Sequence, residues 1–461
     1  MQYISTRGAA PKLGFSDVTL TGLATDGGLY LPERWPTLDN EQIRRLRGLS
    51  YADLATEILG AFCGNEIPRS TLADLTSRAY AKFDHQAIAP LKQLDTSLFI
   101  MELFHGPTLA FKDFALQFLG QLFNHLLSNR NESCTIIGAT SGDTGSAAIE
   151  AVRGLPSVQL FMLHPEGKVS DVQRRQMTTV LDQNIHNLAV NGTFDDCQNM
   201  VKAMFNDAPF RARHNLSAVN SINWSRIAAQ VVYYFRAALE LGAPDQTVNF
   251  SVPTGNFGNV LAGYVARKMG LPIDKLIIGT NSNDILTRFF ESGRMEQKGV
   301  NPTLSPSMDI QISSNFERYL FELLDHDAEK INTLMQEFSR NGQFSIDDAA
   351  LHRARQLFSA HRLSDMETQD EIRRVYRQTG EILDPHSVIG VAAARIYGEA
   401  GTPTVVLGTA HPAKFAGAVE QATGVHVDLP PAAAHIMQGE ERVTRIPDDL
   451  QAIQTLIDRT G

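Results

Sequence analysis

Cysteine is scarce in this 461-residue chain: Cys63, Cys134 and Cys197 form no C-x-x-C pair and no spacing suited to zinc. A disulfide framework and a metal centre are therefore excluded as organising devices, and buried, reduced thiols are expected. No apolar run approaches the roughly 18 residues that suggest a membrane span. The opening stretch Met1–Gly8 lacks a charged segment followed by an apolar core, so the expected compartment is the cytoplasm. An excess of positive charge is also missing. The 41 Lys and Arg are scattered among 51 Asp and Glu, for a net charge of −10, which argues against nucleic acid or an anionic membrane as a partner. Internal repeats and low-complexity tracts are absent.

What remains is the composition of a globular protein, 43% hydrophobic and 20% charged, with length for two or three lobes. From Cys134 onward, short β-rich runs alternate with helical patterns across Gly- or Pro-containing turns. Strands are expected at 135–138, 158–163, 185–190, 247–252, 276–280 and 404–407. Such alternation predicts an α/β fold, a mostly parallel sheet flanked by helices, with ligands beyond the carboxyl ends of the strands. Residues 1–95 read as an accessory region, turn-rich to Pro36 and then helical through Ala81. A second boundary falls near Ser221–Arg226, giving parts at 96–225 and 226–461, with a helical insertion at about 302–381.

One lysine faces the wrong way. After the turn His105-Gly106-Pro107, a helical pattern runs to about Leu127. At 100° per residue, Ala115, Leu116, Leu119, Leu122, Phe123 and Leu126 form one apolar arc with Lys112 near its middle, while Asp113, Gln117, Gln121 and Asn124 form a polar stripe opposite. A lysine snorkelling around the helix end is the ordinary alternative. An inward, desolvated amine loses its proton more easily, the state needed to form a Schiff base with an aldehyde.

Two loops fit anions. Ala139-Thr140-Ser141-Gly142-Asp143-Thr144-Gly145-Ser146 and Ser251-Val252-Pro253-Thr254-Gly255-Asn256-Phe257-Gly258-Asn259 each follow a strand and open a helix. Glycines permit close backbone approach, and free N–H groups with the helix dipole attract negative charge. Tight strand-to-helix turns are the alternative reading. Neither loop is G-x-x-x-x-G-K-[ST] or G-x-G-x-x-G, so the P-loop and dinucleotide readings lack their defining residues.

The strings H-G-P-T-L-A-F-K-D, A-T-S-G-D-T-G-S-A-A, P-T-G-N-F-G-N and the N-terminal T-D-G-G-L-Y-L-P together resemble the threonine synthase family of pyridoxal-phosphate (PLP) enzymes, from residue 3 to about 415. The resemblance implies the fold-type II, tryptophan-synthase-β-like architecture of two lobes with an N-terminal accessory region. It implies that Lys112 carries PLP and moves protons at the substrate α and β carbons. Gly255, Asn256, Phe257, Gly258 and Asn259 would cradle the cofactor phosphate, and the Thr409 hydroxyl would meet the pyridine nitrogen. Thr140, Ser141 and Thr144 would receive the substrate's carboxylate or phosphate; Asn220, Ser221 and Arg226 match the substrate-phosphate segment. Asp384-Pro385-His386 is a further family string that leaves His386, like His411, without an assigned role.

Many fold-type II relatives carry an asparagine where this chain has Asp143. An ionised aspartate cannot donate to the cofactor's 3′-oxygen, so Asp143 is expected to turn away and cap the helix that begins near Ala147. The implied reaction converts O-phospho-L-homoserine and water to L-threonine and phosphate, in a monomer or homodimer without metal. A related phospho-lyase or dehydratase, and a non-catalytic amino-acid or phosphate sensor on the same scaffold, are the rival readings.

Overall fold

Every strand expected between Cys134 and Leu407 forms, in a computed structural model that describes residues 1–218 and 220–460. The strands lie in two large sheets. One runs Thr444–Pro447, Ile185–Asn191, Val158–Pro165, Cys134–Ala139, Leu216–Ser217, parallel throughout. The other runs Phe358–Arg362, Ile273–Thr280, Val248–Pro253, Thr404–Gly408, Leu98–Glu102, Leu91–Gln93, parallel except for its last, antiparallel edge. All six residues of Val248–Pro253 are buried. That is the consequence of helices on both faces, which leave a central parallel strand no wet side.

The sheets draw strands across the boundaries suggested by chain order. Leu91–Glu102 supplies an edge to the second sheet, and Thr444–Pro447 supplies one to the first. Residues 302–381 hold the helices Phe316–Leu323, Ala328–Asn341, Asp348–Leu357 and Asp365–Thr379 and also the edge strand Phe358–Arg362. Pairing between segments far apart in the chain leaves no local trace in sequence, which is why these crossings escape periodicity.

The N-terminal region is built into the same core. Tyr3–Ser5 pairs with Tyr30–Pro32, and helices Tyr51–Cys63 and Arg69–Tyr80 pack against helices Trp224–Glu240 and Lys112–Arg130. Trp224 is fully buried among Tyr3, Trp35 and Phe62. The base of helix Trp224–Glu240 is thereby clamped by residues from the first 65 positions. Cys63, Cys134 and Cys197 are buried free thiols.

Helix Lys112–Arg130 corrects one expectation. Asp113 and Gln117, placed on the polar stripe, have no solvent exposure. The helix is enclosed by Arg69–Tyr80, Asp143–Val152 and Trp224–Glu240, so its polar side faces protein. Asp113 accepts from the Thr108 N–H at 2.8 Å and the Thr108 hydroxyl at 2.6 Å, tying down the preceding turn. Gly106 makes room: a Cβ there would lie 2.5 Å from the Asp113 side chain.

Candidate active site

The carboxyl ends of three strands deliver the site: Ala139 leads into the Thr140 loop, Pro253 into the Asn256 loop, and Gly408 into Thr409. Lys112 opens its helix, 7% exposed, and is brought to them because the Phe111 N–H donates to the Thr409 carbonyl at 2.9 Å. Its amine donates to Asp143 Oδ2 at 3.1 Å and reaches Ser307 Oγ at 3.4 Å. Burial lowers the proton affinity of Lys112; Asp143 opposes that, and the positive charges of Lys414 and Arg226 reinforce it.

Asp143 overturns the capping expectation. Helix Asp143–Val152 begins at this residue, so Gly142 is the cap position and Asp143 is already the first helical residue. Among the described residues its carboxylate accepts from no backbone amide. It takes Lys112 and Ser307 Oγ (3.0 Å) on Oδ2, and Lys414 (2.8 Å) and Gln173 Nε2 (2.8 Å) on Oδ1. Burial alone would favour the neutral acid, but the two ammonium groups outweigh it and hold Asp143 well below the usual carboxylate range. Charged donors outcompete backbone amides for this acceptor. Lys414 and Gln173 have no hint in the chain's local patterns beyond the position of Lys414 shortly after Thr409; Ser307 has none.

The loop residues divide into shapers and facers. Thr140 is buried and its Oγ1 accepts from the N–H groups of Gly142 (3.0 Å) and Gly145 (2.9 Å), so it shapes the loop. Ser141 is exposed and Thr144 half-buried. In the second loop the Phe257 side chain is buried against Phe316, Tyr319 and Phe358, and its backbone is left-handed at φ 60°. Asn259 is also turned into the protein: its Oδ1 accepts from Tyr233 at 2.5 Å. The side chains of these two residues hold the loop, leaving its backbone to meet a ligand. A Cβ on Gly255 would sit 3.2 Å from the Met308 Cα and the Ser307 carbonyl, so a side chain there would have to push the backbone opposite back by a few tenths of an ångström.

Asn256 donates to the Ser221 hydroxyl and, through Oδ1, accepts from the Ser314 N–H at 2.7 Å. Asn220 Oδ1 accepts from the Ile222 N–H at 3.2 Å. Arg226 is 4% exposed, and its Nη1 has no partner among the described residues; burial lowers its pKa to about 10. An unpaired buried guanidinium is costly unless an anion completes it. Thr409, 6% exposed, has an equally orphaned hydroxyl, while its N–H donates to Ser387 Oγ at 2.9 Å. A narrow glycine cup for phosphate, an inward amine for an aldehyde, and two orphaned donors are the features that PLP and a phosphorylated substrate require, so these residues fit that cofactor.

His386, left without a role by sequence, is a positioning group. Its Nδ1–H donates to Asp384 Oδ1 at 2.8 Å, and its Nε2 accepts from the Ser307 N–H at 3.2 Å. The ring thereby holds the Ser307 turn against Lys112. Asp384 also accepts from Ser387 Oγ, which in turn receives the Thr409 N–H. His411 caps the Pro412–Phe415 turn through Nδ1, and burial depresses its pKa to about 4.

Comparison with known proteins bears on the family and the fold. Residues 2–80 match the family described as threonine synthase N terminus, 84–334 the pyridoxal-phosphate dependent enzymes, and 387–457 the threonine synthase C-terminal family. The threonine synthase of Pseudomonas aeruginosa is 51% identical, covering 100% of this chain and 99% of its own. That of Saccharomyces cerevisiae is 45% identical over 91% of this chain and 88% of its own. The crystal structure of PLP-bound threonine synthase from Brucella melitensis superposes with a TM-score of 0.98, at 53% identity over 100% of this chain and 99% of that one.

Proposed function

Because the chain belongs to the threonine synthase family of fold-type II PLP enzymes, we propose that Lys112 is the lysine that carries its cofactor and moves protons at the substrate's α and β carbons. The observation that carries this assignment is the buried amine at the start of its helix, beside the Thr140 loop and paired to the Asp143 carboxylate. The reaction is that of a threonine synthase: O-phospho-L-homoserine and water give L-threonine and phosphate. Bound PLP supplies an electron sink for the charge that develops at the substrate carbons.

The protein's own groups have separate tasks. The backbone from Gly255 to Asn259 would hold the cofactor phosphate, with Asn256 fixed by Ser221 and Ser314. The orphaned Thr409 hydroxyl would meet the ring nitrogen. Arg226 would fork onto the substrate phosphate, with Asn220 and Ser221 alongside, and stabilise the leaving group as its charge grows. Ser141 and Thr144, at the head of a helix, would orient the carboxylate, with Thr140 setting the turn. Lys112, drawn toward its neutral form by burial, is the base.

The division of labour along the chain follows: residues 1–95 brace the site, 96–225 carry Lys112 and the Thr140 loop, and 226–461 carry the phosphate loop. We place the enzyme in the cytoplasm as a monomer or homodimer, which fractionation and sedimentation equilibrium test.

Borohydride reduction followed by peptide mapping tests the central assignment. A pyridoxyl adduct is expected on Lys112 and lost in Lys112→Ala; an adduct on another lysine overturns it. Product analysis addresses the rival elimination: threonine with phosphate is expected, and 2-oxobutanoate with phosphate in place of threonine would mark a phospho-lyase.

A further inference from the structure

Lys414 is a second lysine in the site, with no side-chain exposure, and no step of the reaction described above uses it. Its amine donates to the Thr108 carbonyl at 2.8 Å and pairs with Asp143 Oδ1 at 2.8 Å. Asp143 is thus one carboxylate between two ammonium groups, with Lys112 on Oδ2 and Lys414 on Oδ1. We propose that Lys414 is a positioning residue that serves as the permanent counter-ion of Asp143, so that Lys112 can give up its proton and leave the carboxylate.

The argument is one of charge and of hydrogen bonds left behind. With Lys112 protonated, the buried cations Lys112, Lys414 and Arg226 crowd a site in which Asp143 is the carboxylate that pairs with both amines, while the buried carboxylates of Asp113 and Asp384 are engaged by Thr108 and by His386 and Ser387. The other groups facing the amine, Ser307 from its turn and Gln173 from helix Asp171–Thr178, are neutral, and His386 reaches the site only through the Ser307 N–H. Losing the Lys112 proton relieves its repulsion by Lys414 and Arg226. When Lys112 departs, Oδ2 keeps Ser307 and Oδ1 keeps Lys414 and Gln173, so neither oxygen is stranded.

Without Lys414 the same site would hold a closed Lys112–Asp143 pair. Breaking a buried pair by neutralising one member leaves an uncompensated charge, so Lys112 would stay protonated. Burial lowers the proton affinity of Lys112, Asp143 raises it, and Lys414 lowers it again, in keeping with this picture. Reaction with an aldehyde needs the free lone pair: the ammonium proton passes to solvent, a C=N bond forms, and the carbonyl oxygen leaves as water.

This inference rests on Lys112 as the reacting lysine, which the adduct mapping decides independently. Its own test uses cofactor-free protein, with formaldehyde as the aldehyde and cyanoborohydride as the hydride donor that reduces the C=N bond to a methylated amine. Labelling of Lys112 is followed by mass spectrometry from pH 6 to 10, normalised to exposed Lys298 in the same digest. Lys414→Met should move the Lys112 midpoint up by a pH unit or more and slow labelling about tenfold near pH 7.5. In an Asp143→Asn background the same Lys414→Met change should move the midpoint much less than in the parent, because the carboxylate is gone and only the direct repulsion between the two ammonium groups is removed. An unchanged midpoint in Lys414→Met, or a shift as large in the Asp143→Asn background as in the parent, overturns the proposal. If Lys414→Met does not fold, Lys414→Gln takes its place in both backgrounds.

Discussion

The Asn256 side-chain amide donates to the Ser221 hydroxyl, joining the loop proposed for the cofactor phosphate to the segment proposed for the substrate phosphate. Asn315 doubles the link, since its Nδ2 donates to the carbonyls of both Ser221 (3.0 Å) and Asn256 (3.2 Å). The two anion sites therefore share a wall. Arg318 stands behind that wall, 1% exposed, donating to Asn315 Oδ1 (2.5 Å), the Ile222 carbonyl (2.6 Å) and the Tyr30 carbonyl (2.9 Å).

Arg318→Met is therefore expected to strand three acceptors in three segments. Hydrogen bonds to charged groups are each worth about 1.5–3 kcal/mol and add imperfectly, so a net loss of about 3 kcal/mol is expected after relief of the buried charge. Urea denaturation of the cofactor-free protein measures it. The substrate KM should rise as the Ser221 segment loosens; an unchanged midpoint with unchanged KM would show that Arg318 braces nothing.

Arg226 predicts the opposite sign in stability. Its Nη1 is buried without a partner among the described residues, so the cofactor-free fold carries a desolvated charge. Arg226→Met should raise stability by about 1–2 kcal/mol, since an apolar group of similar length replaces an unpaired one. The same variant should lower kcat/KM for the phosphorylated substrate by the equivalent of about 1.5–3 kcal/mol, with PLP retention unchanged. Loss of PLP with normal turnover per bound cofactor would assign Arg226 to the other phosphate.

The alternation of strands and the inward Lys112 were legible because both are local periodicities. The loop glycines were legible because bare backbone beside an anion needs them. What periodicity missed is decided by contacts far along the chain. Asp113 and Gln117 lie on the polar side of their helix, and only helices from three other segments make that side dry. Asp143 looked like a cap because helix starts favour that residue type. Its true direction is set by Lys414, a partner distant in sequence. Tyr30 sat in a turn-like string, yet its carbonyl meets Arg318 at the back of the site.

Thr409→Val separates a ligand-facing hydroxyl from a turn residue. The Thr409 Oγ1 is buried and orphaned, so an isosteric methyl should leave the cofactor-free protein within about 1 kcal/mol of its original stability, or slightly above it. PLP affinity should fall about tenfold, or about 1.4 kcal/mol, by equilibrium dialysis. Unchanged affinity would return Thr409 to a turn residue.

Asp113 gives a pH dependence of definite sign. Burial is the largest influence on its carboxyl and raises the pKa from 3.8 to about 6, with the Thr108 hydrogen bonds pulling the other way. The folded state therefore holds the proton more tightly than the unfolded chain. The associated stability is fully present below about pH 4 and lost as pH rises through 6. Two pKa units correspond to about 3 kcal/mol. Asparagine cannot ionise and keeps one acceptor for Thr108, so Asp113→Asn should remove this component. Measured by denaturant unfolding at pH 4.5 and 7.5, the stability of Asp113→Asn relative to the parent should improve by about 2 kcal/mol toward the higher pH. A difference that stays flat across this range would mean that Asp113 ionises as freely in the fold as in the open chain, and that its buried seat beneath the Gly106 turn carries no electrostatic cost.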